Sequence, residues 1–199
     1  MMHRPVLVTA PTATPVSLAE AKLHLRVDGT ADDTLINALL AAAVTHLDGW
    51  AGTLGICLEQ QTWRQDFDGW ARHLMLPLGP VISVSGVTVT SAAGADDTIA
   101  GANYELQTDA GGRSFVRFVD DYQPPSDQAE TRAFKVTFTA GHAQAAGPTS
   151  TVPEPIRQAM LLLIGHWYRN REAVDIGNTS SKLPLAVDAL LDPYRRFGR

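Results

Sequence analysis

The chain has 199 residues, of which 45% are hydrophobic and 19% charged, and its formal net charge is −5. That length can bury a sizeable core, as one domain or as a core with an insertion, and the composition excludes a disordered chain. The negative balance argues against a surface built mainly to hold nucleic acid, which needs clustered Lys and Arg, but not against one that DNA slides past. Residues 1–16 read as extended, because Pro5, Pro11 and Pro15 disfavour helix. The opening MMHRPVLVTAPTATP has only a short apolar run and no convincing cleavage site, so no signal peptide is expected. In VSLAEAKLHLRVDG, Ser17 followed three residues on by Glu20 forms a capping box, and Asp28-Gly29 stops the helix. A second helix follows, with Thr30 as its N-cap and Asp32 and Asp33 at the positive end of its dipole. Leu35, Ile36, Leu39, Leu40, Ala43, Val44 and Leu47 give it a broad apolar face, and Gly49 and Gly52 end it.

From 57 to 141 the period changes from helix to strand. FKVTF places Phe134, Val136 and Phe138 on one face and Lys135 and Thr137 on the other. VISVSGVTVT alternates, but its phase slips by one at Gly86, which predicts a bulge or a turn. NYELQ and SFVRFV form a pair joined by TDAGGR, a Gly-Gly hairpin signal. The block reads as an antiparallel β unit between helices. The stretch VPEPIRQAMLLLIGHWYRNRE then gives a helix with Pro155 in its first turn. Ile156, Met160, Leu163, Ile164 and Trp167 line one face while Leu161, Leu162 and Tyr168 fall elsewhere, so the helix is apolar nearly all round. Such a helix must be covered on every side, and a neighbouring subunit is the natural second cover. The expected interface residues are Ile156, Met160, Leu163, Trp167, Tyr168 and Arg171. No segment reaches the roughly 20 apolar residues of a bilayer span. IGNTSSKLP reads as a polar loop, and LAVDALLDPYRRFGR as a short helix ending near Pro193 with a basic, aromatic tail. The expected fold is α+β: residues 1–56 as an arm and helix pair, 57–141 as the inserted β unit, and 142–199 as the C-terminal helices, together one compact domain with an insertion.

The candidate chemistry is thin. His166 could act as a general base with Glu172 or Asp175, but no nucleophile motif accompanies it. A helix end fits HWYRNRE better, with Trp and Tyr packed inside and cations near the negative terminus. SVSGV lacks the nucleophile-elbow pattern, and AGG at 110–112 lacks the Lys-Ser or Lys-Thr of a phosphate loop. Cys57, the single cysteine, reads as an apolar filler; with no internal disulfide possible, a reducing compartment is expected. The six histidines show no metal-binding spacing, and DFDG at 66–69 lacks the other ligands of a calcium loop. The sequence therefore predicts no catalytic, metal or cofactor site. By contrast, Tyr194, Arg195, Arg196, Phe197 and Arg199 combine aromatic rings with guanidinium groups, the residue types enriched at protein interfaces.

Five segments in order resemble one family. They are VSLAEAKLHLRVDGTADDTLINALLAAA, LPLGPVISVSGVTV, NYEL followed by FKVTFTAGH, VPEPIRQAMLLLIGHWYRNRE, and LPLAVDALLDPYRRFG. Together they resemble the head–tail connector (adaptor) proteins of long-tailed phages and of phage-derived gene transfer agents, with 91–133 matching more loosely. The resemblance implies a non-enzymatic structural protein of the particle neck, assembled in a bacterial cytoplasm. It implies a ring, usually of twelve copies, that docks under the portal protein and carries the stopper or tail. DNA would pass through the lumen without specific binding, and each copy's net −5 suits a channel that repels it. The resemblance also implies that the C-terminal tail takes part in portal docking and that no membrane is involved. Two other readings stay open: a small hydrolase-like enzyme using His166, and a soluble β-rich binding module, for instance for carbohydrate, with an exposed aromatic platform in 57–141.

Overall fold

Strand alternation builds one unit of the chain and helical periodicity the other. The computed structural model describes residues 1–143, 150–171 and 185–196, and the fold is α+β. The first unit comprises residues 1–12 and 59–143; the second comprises 13–58 and the C-terminal segments.

In the first unit eight strands form two antiparallel sheets. They are β1 (Val6–Thr9), β2 (Gln61–Phe67), β3 (His73–Met75), β4 (Val81–Thr90), β5 (Asp96–Ile99), β6 (Tyr104–Thr108), β7 (Ser114–Phe118) and β8 (Phe134–Ala140). Five strands run in the order β1-β2-β8-β4-β5, and three in the order β3-β7-β6. β8 is central, and its alternation is complete: Phe134, Val136 and Phe138 are buried while Lys135 and Thr137 are half-buried. The phase slip in β4 is a bulge. Its register against β8 shifts between Val84 and Gly86, so Ile82 is exposed while Val87 and Val89 are buried. The predicted hairpin is β6–β7: Gly112 takes φ 75, and the Asp109 carboxylate accepts the Arg113 backbone N–H. Phe118 on β7 stacks on Tyr122 at 4.8 Å and meets Phe134 on β8 edge-on at 6.2 Å, so one aromatic cluster joins the two sheets.

Two features of this unit differ from the sequence reading. The arm at 1–12 belongs with the β unit, because β1 pairs with β2 and His3 N–H bonds to the Asp66 carbonyl. A strand that the sequence reading did not single out, β5, begins at Asp96-Asp97. The Asp96 carboxylate is held by Lys135, at 2.7 Å, and by Thr90. These bonds outweigh burial and lower its pKa.

The second unit contains, among the described residues, α1 (Leu18–Leu25), α2 (Asp33–Leu47), α3 (Glu154–Arg169) and α4 (Leu185–Leu191). The capping box forms as predicted. Ser17 Oγ accepts the Glu20 N–H at 3.2 Å, and a Glu20 carboxylate oxygen accepts the Ser17 N–H at 2.8 Å. Thr30 is not the cap of α2. Asp32 holds that position, and its carboxylate is used elsewhere. Gly52 is required after α2, since a Cβ there would collide with the carbonyls of Leu47 and Asp48. One core joins the four helices: Ala21 of α1, Ile36, Leu40 and Leu47 of α2, Ile156, Met160 and Leu163 of α3, and Val187 and Leu191 of α4. The single cysteine, Cys57, is buried, as a filler would be.

The expectation that Ile156, Met160 and Leu163 of α3 face a neighbouring subunit is corrected here. Ile156, Met160 and Leu163 have 0% of their surface exposed in the single chain, so they have nothing left to offer a neighbour. α1, α2 and α4 all pack on α3. Leu161, Leu162, Trp167 and Tyr168 remain partly buried, packed at the margin of that core.

Candidate interaction surface

The end of α3 is a tied-down helix terminus. Asn170 caps it: its backbone N–H and its side-chain Nδ2 both donate to the His166 carbonyl at 3.0 Å, and Nδ2 lies 3.2 Å from His166 Nδ1. Trp167 meets the His46 ring edge-on at 6.3 Å. Tyr168 donates its hydroxyl hydrogen bond to Asp32, and Arg171 lies 4.9 Å from the Tyr168 ring centroid and 4.0 Å from the Asp32 carboxylate. The Asp32 hydrogen bond raises the Tyr168 pKa, since it is lost if the phenol ionises into a carboxylate neighbour. Asp32, at the N-terminus of α2, thus fastens the far end of α3. Glu172 and Asp175, the partners considered for a catalytic His166, lie outside the described residues.

A second fastening sits at the other end of α3, and sequence reasoning missed it. Arg157, 12% exposed, donates to the Pro15 carbonyl at 3.0 Å, to Glu154 at 2.6 Å and to the capping-box Glu20. Burial works against the Glu20 carboxylate, but the Ser17 bonds and Arg157 more than offset it, so its pKa falls. A lone Arg in a helix reads as solvent-facing. The signal available was its position one turn inside α3, opposite the acidic first turn of α1.

The tail is largely folded onto its own unit as far as it is described. Tyr194 packs against the helical core. Arg195 bridges Asp188 at 2.7 Å and Asp192 at 2.9 Å, and the Arg196 N–H bonds to the Leu54 carbonyl at 3.0 Å. Phe197 and Arg199 lie outside the described residues. A docking arm that begins at Tyr194 is therefore narrowed: the first residues named for it already have intramolecular partners.

Other candidates dissolve on inspection. Every aromatic side chain in 57–141 is buried or half-buried, so the platform expected of a carbohydrate-binding module is not there. Asp68 of DFDG is bound by His3 at 2.5 Å, by the Arg132 N–H at 3.1 Å and by the N-terminal ammonium. These partners, His3 first, hold its pKa at about 2. Among the described residues no group of three His, Cys, Asp or Glu side chains could hold a metal, and no helix is long and apolar enough to cross a membrane. What remains is surface: outer helices and one sheet edge carrying exposed apolar side chains.

A structural adaptor is the class this arrangement fits. The family model described as "Head completion protein" matches residues 16–197, and the chain belongs to that family of structural head–tail adaptors. Three solved structures share its fold. A chain in the neck of an empty GTA (gene transfer agent) particle with C6 symmetry superposes with a TM-score of 0.78 at 24% identity. One in the virion of a native GTA particle gives 0.76 at 25%, and one in the neck of a native particle with C12 symmetry gives 0.70 at 24%. Each match covers 99% of this chain and 97% of the other. No curated protein matches the sequence.

Proposed function

We propose that this protein is the adaptor in the neck of a phage-type or gene transfer agent particle, where copies of it form a ring between the portal and the stopper or tail. The observation that carries this reading is the end-to-end likeness, 99% of this chain on 97% of the other, to a chain in a particle neck with C12 symmetry. Twelve copies is the expected number. DNA passes through the lumen without specific binding, and the protein's work is to hold components together rather than to catalyse a reaction. Closed rings use head-to-tail contacts, so each copy needs two different complementary patches. Of the residues expected at a subunit interface, Trp167 and Tyr168 keep partial exposure and Arg171 is exposed, so the end of α3 is available to a partner; the buried Ile156, Met160 and Leu163 are not.

Electron microscopy of particles from cells lacking this protein tests the reading. Filled heads without tails are expected, and intact necks with normal tails would refute it. The C-terminus is proposed to meet the portal through its last residues. Deleting 197–199 avoids Tyr194 and the Arg196 N–H, so the chain should fold with unchanged helix content while tail attachment is lost. Normal attachment by that truncation would remove the docking role.

A further inference from the structure

In the helical unit two large hydrophobic side chains, among the described residues, stand exposed: Leu23 on α1, at 81%, and Leu185 at the start of α4, at 87%. They sit on different helices that share α3 as a support: α1 and α4 each pack on α3, and no substantial α1–α4 packing is present among the described residues. Each leucine belongs to a strip. On α1, Ala19 and Leu23 lie one turn apart and are exposed, with Leu18 and Val27 half-exposed beside them, above a shallow cavity of about 650 Å³. On α4, Leu185 and Ala189 lie one turn apart and are exposed, with Ala186 alongside. The α1 strip ends in the exposed cation Arg26. The α4 strip ends in Asp192, which is exposed and shares Arg195 with Asp188, so two carboxylates face one cation there.

We infer that α1 of one copy packs against α4 of the next copy, leucine strip on leucine strip with Arg26 facing Asp192, and that this is a head-to-tail contact of the ring. The inference rests on the ring reading proposed above and goes further by assigning the two patches. A rotationally closed ring needs a patch and a different, complementary patch on every copy. The two strips meet that need in shape class and in charge. Another pair of opposed surfaces is the two edges of the five-stranded sheet, and they do not match. β1 exposes Val6, Leu7 and Val8, whereas β5 at the opposite edge presents Asp96, Asp97 and Thr98. An apolar edge set against β5 would bury the Asp97 carboxylate and the Lys135–Asp96 ion pair against side chains that cannot solvate them.

Cysteine pairs in purified particles test this. With Leu23→Cys and Leu185→Cys together, a short bismaleimide should give a ladder of covalent multimers of this protein. Either single variant should give monomer, since Cys57 is buried. A ladder from Leu7→Cys with Thr98→Cys, and none from the helix pair, would overturn the inference while leaving the ring reading intact. A neck with no ring of this protein, seen by electron microscopy of the wild type, would overturn the ring reading and this inference with it. Charge exchange gives a second, independent measurement. Arg26→Asp alone should reduce tailed particles at least ten-fold while the purified chain keeps its melting temperature; Asp192→Arg, which also loses the Arg195 bridge, should do the same with at most a small fall in melting temperature. The double variant should recover to within about three-fold of wild type. Unchanged yield in both single variants, or no recovery in the double, would count against the Arg26–Asp192 contact.

Discussion

The two units solve the same problem, covering an apolar core, with opposite distributions of charge. The β unit holds eleven acidic and seven basic residues, a net of −4, while the helical unit holds ten and nine, a net of −1; together they make the chain's −5. In the β unit the charges sit on strands and turns as a relay: Arg72 to Asp120, Asp120 to Arg117 at 2.9 Å, and Arg117 to Glu105 at 3.0 Å. In the helical unit the charges that matter lie at helix ends, where Arg157 and Asp32 fasten α3 to its neighbours. A sheet keeps solvent off its core with its own pleated faces. A helix layer does so by fixing the ends of rods, and it leaves the outer sides of its outer helices open. That difference is why the helical unit supplies the contact surfaces proposed above.

Separate cores should fail separately. Phe118→Ala removes the ring that joins the two sheets and should cost about 3–5 kcal/mol; Leu163→Ala in α3 should cost about 2–5 kcal/mol. Hydrogen exchange read residue by residue should show protection falling in the mutated unit first. Equal loss in both units from either substitution would erase the distinction drawn here.

Next in size is Arg157→Ala. It removes hydrogen bonds to Pro15, Glu20 and Glu154 from a side chain only 12% exposed. Hydrogen bonds to charged groups contribute about 1.5–3 kcal/mol, and a loss of about 2 kcal/mol is expected by urea denaturation. A change below about 0.5 kcal/mol would mean that the α1–α3 junction rests on packing alone.

How far the sequence alone reached follows the same division. Short-range patterns were legible because they depend on neighbours in the chain. The Ser17–Glu20 box, the Gly86 bulge, the 109–113 hairpin and the β8 alternation all form where the residue pattern puts them. What was not legible depends on partners far away in sequence. Arg157 meets Pro15 from 142 positions off, and Tyr168 meets Asp32 from 136. The same distance misled the reading of α3. Its all-round apolar character put Ile156, Met160 and Leu163 at a subunit interface, but α1, α2 and α4 already bury them. The arm was assigned with the helices because proline spacing says only that it is extended. Which sheet it joins is fixed by β2, more than 50 residues later in the sequence.

A smaller effect tests the capping box by itself. Ser17→Ala leaves Glu20 its bond to Arg157 but removes the acceptor for the Glu20 N–H. Loss of an N-cap costs about 1 kcal/mol, so the thermal midpoint should fall by a few degrees, with α1 amides exchanging first. An unchanged midpoint would place the stability of α1 in its Arg157 junction.

The smallest effect is acid release of the N-terminal arm. Asp68 keeps a folded pKa of about 2, while an unfolded Asp ionises near 4. A carboxylate with a depressed folded pKa stabilises fully above its unfolded value, and the contribution fades as pH falls through its folded value. The His3 and Arg132 contacts should therefore persist at pH 5 and weaken between about pH 4 and pH 2, read as chemical-shift changes in residues 1–4 by NMR. In Asp68→Asn the same resonances should already show the released positions at pH 5 and stay flat across that window. A wild-type arm that moves only above pH 5 would show that the Asp68 carboxylate does not hold it. The pinning of the arm, and with it the assignment of residues 1–12 to the β unit, would then rest on the β1–β2 ladder alone.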